Sequence, residues 1–211
     1  MALFITFEGG EGSGKSTQAR LLLQRLEGEH IPAVLTHEPG GTALGTELRR
    51  ALKAKQGARI SPRAELLLFA ASRAQLIDDL IRPALQEGKV VICDRFTHST
   101  VGYQGYGRGL DLALVQTANS IATENLRPDL TILLDITPER GLTRRPSLED
   151  RFELEDLSFH HRVREGYLKM AEAEPDRWLV IDASLPKDKV SEIIWTRVSR
   201  LLASSASLRG V

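Results

Sequence analysis

The 211-residue sequence predicts a doubly wound α/β fold, in which a parallel sheet of five strands carries helices on both faces. Five short apolar segments, each typical of a buried strand, alternate with segments whose apolar residues recur at helical spacing. Polar motifs follow the predicted strands. Because ligands gather at the carboxyl ends of the strands in such sheets, we expect a functional site at that edge.

The first predicted strand leads into a glycine-rich turn and then into a helix. Apolar residues 3–7 precede Gly9-Gly10-Glu11-Gly12-Ser13-Gly14-Lys15-Ser16-Thr17, which has the G-x-x-x-x-G-K-[ST] pattern of a P-loop. The glycines let backbone N–H groups converge on one point, where the N-terminus of the helix adds a partial positive charge. We expect Lys15 to reach the outer phosphates of a nucleoside triphosphate and the Ser16 hydroxyl to ligate Mg²⁺. A turn that merely joins a strand to a helix is the alternative.

The other elements follow from apolar spacing and capping signals. Strands are predicted at residues 33–37, 90–94, 130–135 and 178–182. Ser61-Pro62 is expected to begin a long helix that ends near Arg82-Pro83. Residues 95–109 are rich in Gly, Ser, Thr and Tyr and are predicted to form a loop. Further helices are expected at residues 44–52 and 111–125 and at roughly 187–202. Between the fourth and fifth strands, one helix is expected to begin at about residue 138 and a second, long helix to end at about residue 174.

Composition limits the function classes. Lysine plus arginine and aspartate plus glutamate each number 28, so the net charge is zero and favours neither nucleic acid nor an anionic membrane as a partner. The single Cys93 excludes an internal disulfide and argues against a cysteine-based zinc site. Apolar segments fall short of the ~20 residues that a membrane span requires. We expect a soluble cytoplasmic protein without a signal peptide, which forms one domain over residues 1–203 with a disordered tail at 204–211.

A P-loop alone is shared by switch GTPases, motor ATPases and small-molecule kinases. The sequence has no Asn-Lys-x-Asp segment, which counts against a GTPase. Asp94 ends the third predicted strand and is followed by Arg95. The acid is expected to hold Mg²⁺ through water, and the arginine to bridge the phosphates of a donor and an acceptor. An ion pair at the strand end without a catalytic task is the alternative.

Further motifs resemble those of the bacterial thymidylate kinases, P-loop enzymes that transfer the γ-phosphoryl group of ATP to dTMP. The motifs are Glu38-Pro39-Gly40-Gly41-Thr42, Asp94-Arg95-Phe96 followed by Ser99-Thr100, Tyr103-Gln104-Gly105 and Gly107-Arg108-Gly109. The resemblance extends from Phe4 to about Asp182 and keeps their order and spacing. It implies a P-loop NTPase fold, Mg²⁺ as cofactor, ATP as phosphoryl donor and a homodimer.

For the acceptor site, the resemblance implies that Phe69 stacks on thymine while Arg73, on the same helix face, hydrogen-bonds a base oxygen. Arg49 and Arg95 would hold the dTMP phosphate, for which planar bidentate donors are suited. The alternatives are a core position for Phe69 and a solvated helix surface for Arg73 and Arg49. The other implied substrate contacts are Glu38 and Pro39, which are joined by a cis peptide bond, and Ser99, Thr100, Tyr103 and Gln104.

The resemblance also gives finer roles to three of these residues and to an acid of the P-loop. Tyr103 would lie against the sugar, where its ring excludes a 2′-hydroxyl, with simple loop packing as the alternative. Thr100 and Gln104 would contact the base edge. Glu11 would accept a hydrogen bond from the sugar 3′-hydroxyl or order the waters around the metal.

Residues 144–155 resemble the short lid that closes over ATP in this family. The P-loop has Gly12 where some relatives carry a basic residue, so the lid is expected to supply the arginine that stabilises the transferring phosphoryl group. Arg151 matches the lid motif best, and Arg144 is assigned to ATP binding. Pro146 and the shortness of the lid leave open which arginine reaches the γ-phosphate, and a solvated charged loop is the alternative. The expected catalytic residues are Lys15, Arg95, Arg151 and Glu11.

The histidines receive no role. His37 stands where many relatives have arginine, His98 follows the Asp94-Arg95 pair, and the His160-His161 pair is expected to be solvated on a polar helix. The resemblance of the motifs implies a thymidylate kinase. The alternatives are another nucleoside monophosphate or deoxynucleoside kinase of the same fold, and a nucleotide-binding regulatory protein that has lost catalysis.

Overall fold

The computed structural model describes residues 2–54, 59–144 and 151–207. Within these ranges five strands form one sheet in the order β2-β3-β1-β4-β5. Every pairing between neighbours is parallel, which confirms the predicted fold class and the five predicted strands. The strands are β1 (Leu3–Glu8), β2 (Ala33–His37), β3 (Val90–Asp94), β4 (Leu130–Asp135) and β5 (Trp178–Asp182).

Helices connect the strands and cover both faces of the sheet. The α-helices are α1 (Lys15–Gly28), α2 (Ala43–Lys53), α3 (Pro62–Leu76), α4 (Arg82–Gln86), α5 (Thr97–Thr100), α6 (Leu112–Thr123), α7 (Pro138–Thr143), α8 (Leu157–Ala173) and α9 (Lys187–Ser207). Two π-helices (Ile77–Ile81 and Val101–Gly107) and a 3₁₀ turn (Pro175–Arg177) complete the described elements.

The central strand β1 is buried along its whole length, because side chains on both of its faces pack against helices. Ile5 and Phe7 belong to the cluster that α1 and α9 form on one face of the sheet. Phe4 points to the other face, where it packs with the end of α3 and the π-helix that follows, and its ring meets that of Phe96 edge-on at 4.9 Å. Burial on both faces explains why this strand is almost continuously apolar.

The carboxyl ends of β1, β2 and β3 lie side by side, and they bring the predicted motifs together. His37 of β2 is paired with Asp94 of β3, and Asp94 is paired with Phe7 of β1. Beyond the strands, the Arg95 N–H donates to the Phe7 carbonyl at 2.9 Å and the Glu38 N–H donates to the Asp94 carbonyl at 3.0 Å. The P-loop and the segments after β2 and β3 therefore start from fixed neighbouring points.

The segment 95–109, which we predicted to be a loop, is largely helical, so that prediction was wrong. It contains α5 and the π-helix Val101–Gly107, and the π-helix packs against α8. A Cβ atom on Gly107 would lie 2.6 Å from Phe159 Cε2, and one on Gly102 would lie 3.5 Å from the Tyr167 ring. The glycines that suggested a loop let two helices approach closely.

The long helical segment after Ser61 begins as predicted and ends later than predicted. Ser61 caps α3 by accepting a hydrogen bond from the Ala64 N–H at 3.4 Å. A π-helix then leads into α4, which continues past Pro83 to Gln86. Proline lacks the N–H that an α-helix needs at this point, and a change of hydrogen-bond register just before it accommodates the ring without ending the helix.

The last helix, α9, is also longer than predicted. It continues past Leu202 to Ser207, so residues 204–207 are helical instead of disordered, while 208–211 lie outside the described residues. Among the helices of the described ranges, α9 included, we find none that is long and apolar enough to cross a membrane.

Candidate active site

A cavity of about 780 Å³ opens at the carboxyl edge of the sheet. It is bounded by the P-loop, the ends of β2 and β3, and side chains from α2, α3 and the π-helix after α5. The predicted site residues that line it are Glu11, Gly12, Gly14, Lys15, Ser16, Thr17, Glu38, Pro39, Arg49, Phe69, Arg73, Asp94, Arg95, Ser99, Thr100, Tyr103, Gln104 and Arg144. Those that do not line it are Gly9, Gly10, Ser13 and Arg151. One cavity therefore unites both halves of the predicted site.

The P-loop wraps around the N-terminus of α1. Gly12 and Gly14 have φ angles of 67° and 92°, in the left-handed region that favours glycine. The Lys15 ammonium bends back over the loop, donating to the Gly10 carbonyl at 2.7 Å and to Ser13 Oγ at 3.2 Å. Lys15, Ser16 and Thr17 line the cavity, so the N-terminus of α1 lies at it, as in sites that bind phosphate.

Burial and the neighbouring Arg95 charge together lower the pKa of Lys15 to about 8, although the Glu11 charge opposes both effects. Since this value still lies above neutral pH, Lys15 is mostly protonated there. It places a poorly solvated positive charge beside the P-loop, where a phosphate group would relieve the cost of its burial.

Two oxygen groups at the entrance of α1 fit a magnesium ion. Ser16 Oγ donates to the carboxylate of Asp94, so the two side chains already meet. Mg²⁺ prefers oxygen ligands and is commonly held by one or two protein groups together with waters and substrate phosphates. In residues 2–54, 59–144 and 151–207 no group of three or more His, Cys, Asp or Glu side chains is placed to hold a metal ion. Ser16 and Asp94 are therefore the candidate protein ligands.

Arg95 connects the P-loop to the acceptor side of the cavity. Its φ angle of 74° is unusual for a residue with a side chain, and such strain persists where the surroundings impose it. The guanidinium donates to Glu11 Oε1 at 2.7 Å, to Tyr103 Oη at 3.2 Å and to the Gly9 carbonyl at 3.3 Å. A charge between the two halves of the cavity is what bridging two phosphates would require.

Glu11 is an anion held between two cations. Burial alone would raise its pKa, but the charges of Arg95 and Lys15 outweigh that effect and lower the pKa to about 2. The Tyr103 hydroxyl also donates to Glu11 Oε1, at 2.7 Å. These contacts explain how an acid is tolerated inside a loop that binds phosphate.

Sequence reasoning missed Glu8, a fully buried acid at the end of β1. Its carboxylate accepts hydrogen bonds from the Phe96 N–H at 2.9 Å, from Ser99 Oγ at 2.6 Å and from Tyr167 Oη at 2.9 Å. Burial raises its pKa, while Ser99 and Arg95 oppose the increase. Glu8 thus fixes the chain after β3, and an acid within an apolar strand segment was the available signal.

Arg73 is a buried ion-pair partner, so the alternative of a solvated position on the helix surface does not hold. It pairs with Glu38 through Nη2 at 2.7 Å, and both side chains are almost completely buried. The guanidinium also donates to Asn119 Oδ1 at 2.6 Å and to Thr100 Oγ1 at 2.8 Å. The Glu38-Pro39 peptide bond is cis, as the resemblance implied.

Aromatic rings form one wall of the cavity on the acceptor side. Phe69 is half-buried, and its ring centroid lies 5.9 Å from that of Phe152. Tyr103 meets Phe152 edge-on at the same separation. Arg49 also reaches the cavity and donates to the Pro39 carbonyl at 2.9 Å. A flat ligand could lie against this wall with an anionic group near Arg49.

The two lid arginines that the structure describes differ in position. Arg144 lines the cavity and donates to the Ala183 carbonyl at 2.9 Å. Arg151 points away from it and donates to Glu65 Oε2 at 2.6 Å and to the Leu52 carbonyl. Residues 145–150 of the predicted lid, which include Arg145, Pro146 and Asp150, lie outside the described residues.

The expectation that His160 is solvated was wrong. Its side chain is buried, because it continues the stripe of Val163 and Tyr167 along α8, and burial lowers its pKa. Within the described part of the chain its Nε2 has no hydrogen-bond partner. His161 is exposed and contacts Glu139 at 2.8 Å, as expected of a surface residue.

His98 is partly buried. Its ring packs on Trp178 with centroids 4.6 Å apart, and burial lowers its pKa to about 3, with the Arg127 and Arg73 charges contributing. His98 is therefore neutral at physiological pH and belongs to the packing. His37 lines the cavity, where burial and the Arg49 charge lower its pKa.

Comparison with known proteins gives one family. The family described as Thymidylate kinase matches residues 7–194. A thymidylate kinase of Dehalococcoides mccartyi is 54% identical over 203 residues, covering 96% of this chain and 98% of the relative. One of Solidesulfovibrio magneticus is 50% identical and covers 95% of this chain and 100% of the relative. The crystal structure of thymidylate kinase from Ehrlichia chaffeensis, 37% identical, superposes with a TM-score of 0.73 and covers 85% of this chain and 92% of that one.

Proposed function

The chain belongs to the thymidylate kinase family, and on that premise we propose which of its residues carry out the transfer of the γ-phosphoryl group of ATP to dTMP. The activity itself, a phosphotransferase acting on dTMP, follows from the family, from the curated relatives and from the structural neighbour. Another nucleoside monophosphate or deoxynucleoside kinase is not favoured, since the relatives compared are thymidylate kinases.

One observation carries the residue assignment. Arg95 contacts Glu11 of the P-loop and Tyr103 of the π-helix at once, in a single cavity that both segments line. A phosphoryl transfer between two nucleotides needs a donor and an acceptor in line, with positive charge between them. The position of Arg95 supports a donor half on the P-loop side and an acceptor half on the side of α3 and the π-helix.

In the donor half, the P-loop binds the phosphates of ATP. The residues assigned are Gly9, Gly10, Glu11, Gly12, Ser13, Gly14, Lys15, Ser16 and Thr17, together with Arg144. Backbone N–H groups at the start of α1 and the Lys15 ammonium supply the positive potential. Arg144 is supported as the lid's contribution because it lines the cavity.

Ser16 and Asp94 are the residues proposed to hold Mg²⁺, with Asp94 acting through water. When bound, the ion supplies charge neutralisation and orientation of the phosphate oxygens. The contact between the two side chains supports this assignment, as the hydroxyl and the carboxylate can turn together toward one point.

In the acceptor half, Arg49 and Arg95 hold the dTMP phosphate and Phe69 stacks on thymine. Tyr103 lies against the sugar, where its ring leaves no room for a 2′-hydroxyl. The remaining contacts are Glu38 and Pro39, which shape the pocket, Arg73, Thr100 and Gln104 at the base edge, and Ser99 beside Arg95. Catalysis is then a matter of positioning and electrostatics, with Lys15, Arg95 and a lid arginine balancing the charge on the transferring group.

Glu11 and Arg151 are the two catalytic assignments that require a change of partner. Glu11 must exchange part of its contact with Arg95 for the sugar 3′-hydroxyl or for metal-bound water. Arg151 must leave Glu65 before it can reach a phosphate. We propose a lid over residues 144–155, within a single kinase domain, whose closure would bring about such exchanges.

We further propose that two copies of the chain form a cytoplasmic homodimer through the neighbouring helices α3 and α6. Exposed apolar residues on the two helices support this surface: Leu67 on α3, and Leu114 and Ile121 on α6. A second copy would cover them, which would remove large apolar side chains from water. ATP and dTMP are nucleotides of the cytoplasm, and the zero net charge supports a protein that does not bind nucleic acid.

A coupled assay that measures ADP formation from ATP tests the function. The acceptors are dTMP, dUMP, dCMP, dAMP and thymidine, each with and without Mg²⁺. We expect dTMP to give the highest kcat/KM of the five acceptors. Without Mg²⁺ we expect no turnover on any of them. Equal or greater turnover on dCMP, dAMP or thymidine would refute the acceptor assignment. Binding of ATP without transfer to any acceptor would instead favour a regulatory protein.

A further inference from the structure

Glu65 is a buried carboxylate on the acceptor side that the proposed mechanism does not use. It lies on α3, one turn before Phe69, and its side chain is 1% exposed. Three side chains donate to it. Gln104 Nε2 lies 2.6 Å from its Oε1, Arg151 Nη2 lies 2.6 Å from its Oε2, and Arg108 Nε lies 3.3 Å from Oε1.

The carboxylate cannot turn easily, because Arg108, for which the proposed mechanism requires no change of partner, is itself held. Arg108 also pairs with Glu155 at 2.6 Å, and its guanidinium lies 4.8 Å from the centre of the Phe159 ring. Arg151 also donates to the Leu52 carbonyl. Toward all three donors the Glu65 oxygens act as hydrogen-bond acceptors.

The contact with Glu65 therefore decides how the Gln104 amide is oriented. Only the NH₂ end of the amide can face an acceptor, so the oxygen must face the other way. Gln104 lines the cavity, and its Oε1 forms no hydrogen bond to any residue that the structure describes. Without the contact with Glu65, the Gln104 amide could turn either of its ends to the cavity. With it, the oxygen, which accepts hydrogen bonds, is the end that faces the cavity.

An acceptor at this point is complementary to one class of pyrimidine. Thymine and uracil carry a hydrogen on N3 and can donate to Oε1. Cytosine has a lone pair on N3 and would face the amide oxygen with an acceptor, which leaves two buried acceptors unpaired. If the Gln104 amide were rotated so that its NH₂ group faced the base, the site would instead favour cytosine over thymine and uracil.

We propose that Glu65 is a specificity-determining residue: by holding the Gln104 amide nitrogen, it makes the acceptor site select pyrimidines that carry N3–H and reject cytosine. Glu65 acts through Gln104 and does not touch the substrate, so it is a positioning residue. The inference rests on the proposed function, which places the base edge beside Gln104.

The test compares kcat/KM for dTMP, dUMP and dCMP in the full-length protein and in Glu65→Gln. The new amide can donate as well as accept, so both orientations of Gln104 become available. We expect the dTMP-to-dCMP ratio to fall about tenfold or more, the size of effect that one mispaired buried hydrogen bond produces. The dTMP-to-dUMP ratio should not change, since both bases carry N3–H. Equal loss on all three substrates would mean a purely structural role and would overturn the proposal.

A double-mutant cycle with Gln104→Leu shows whether Glu65 acts through the amide. In the Gln104→Leu background, Glu65→Gln should leave the dTMP-to-dCMP ratio as it was, because no amide remains to be oriented. If Glu65→Gln still changed the ratio there, the carboxylate would be acting through another group and the proposal would fail.

Glu65→Asp serves if Glu65→Gln does not fold. It keeps the charge for Arg108 and Arg151 but withdraws the carboxylate by one methylene from Gln104, so the dTMP-to-dCMP ratio should fall.

A measurement on the unchanged protein tests the same contact. The Gln104 side-chain NH₂ resonance, identified by its loss in Gln104→Leu, should show slow hydrogen exchange with dTMP bound. Fast exchange would overturn the proposal even if both Glu65 variants were unfolded. Failure of the proposed function looks different: the unchanged protein would then not phosphorylate dTMP.

Discussion

The backbone of Gly12 lies directly against the backbone of Gly141. A Cβ atom on Gly12 would be 1.9 Å from the Gly141 carbonyl oxygen, and a Cβ atom on Gly141 would be 2.3 Å from the Glu11 carbonyl oxygen. Gly141 belongs to α7, which is followed by Arg144. The P-loop and the helix that precedes the lid are therefore in contact with no side chain between them.

Gly12→Ala should destabilise the protein, and Gly12→Arg should not supply the missing P-loop charge. Both variants combine a left-handed φ with a clash against backbone, for which we expect the free energy of unfolding to fall by about 2–4 kcal/mol. Thermal or urea unfolding measures this. Gly10→Ala is the matched control, because a Cβ atom there meets nothing within 4 Å. A stable Gly12→Arg variant with full kinase activity would contradict the prediction.

The pKa of Lys15 predicts how ATP use depends on pH. In the free enzyme kcat/KM for ATP should fall as pH rises through about 8, since the ammonium that binds phosphate is then lost. Lys15→Arg keeps its charge over this range, so its lower activity should show no such fall. A wild-type profile that stays flat from pH 7 to 9.5 would argue against the role of Lys15.

The same lysine should reduce stability below pH 8. Its pKa is lower in the folded protein than the ordinary value of 10.5, so the unfolded chain binds the proton more tightly and stability rises as pH increases from about 8 to 10.5. The shift corresponds to roughly 3 kcal/mol. We therefore expect Lys15→Met to raise the free energy of unfolding at pH 7 by up to that amount while turnover is lost. If the free energy of unfolding of Lys15→Met is unchanged or lower, the prediction is wrong, and the contacts of Lys15 fully offset the cost of burying its charge.

The two described lid arginines should respond differently to removal. Arg144→Ala is expected to lower kcat by about 10²-fold or more with little change in stability, as Arg144 is exposed and lines the cavity. Arg151→Ala should lower the free energy of unfolding by about 1–3 kcal/mol, because buried Glu65 loses a partner, with a smaller effect on kcat. Steady-state kinetics and urea unfolding distinguish the two. If Arg151→Ala loses 10²-fold in kcat at full stability, Arg151 is the phosphate arginine.

Tyr103 should discriminate against ribonucleotides through its ring. The comparison uses dTMP and ribothymidine monophosphate, which differ only in the 2′-hydroxyl. Tyr103→Phe keeps the ring and should keep the ratio of kcat/KM values, although the hydroxyl contacts to Glu11 and Arg95 are lost. Tyr103→Ala should bring the ratio closer to one. The ring has no such role if the Ala variant still excludes the ribonucleotide.

The fold and the chemistry of the strand ends could be predicted from the sequence because both depend on local patterns. Apolar runs placed all five strands, and the P-loop pattern placed Lys15 and Ser16 at the start of a helix. The register between β1 and β3 then brings Asp94 to Ser16, a contact that any parallel sheet with these connections would favour.

What could not be predicted depends on packing between segments that are distant in the sequence. From the sequence alone, glycine indicates a loop. Only the close approach of α8 shows that Gly102 and Gly107 belong to a helix. The burial of Glu8 and Glu65 likewise depends on donors more than 30 residues away along the chain. Arg151 has a motif that suggested a phosphate contact, yet it pairs with Glu65 on α3.

The π-helix Val101–Gly107 sets the positions of Tyr103 and Gln104, the residues that we propose to contact the sugar and the base. The Arg108 N–H donates to the Tyr103 carbonyl five residues earlier, at 2.9 Å, so the segment accommodates one residue more than an α-helix with the same ends. Deleting one residue would rotate Tyr103 and Gln104 by roughly 100° relative to Ser99 and Thr100. One residue more or less in this helix would therefore change which side chains face the cavity, with the sheet and all other connections unchanged.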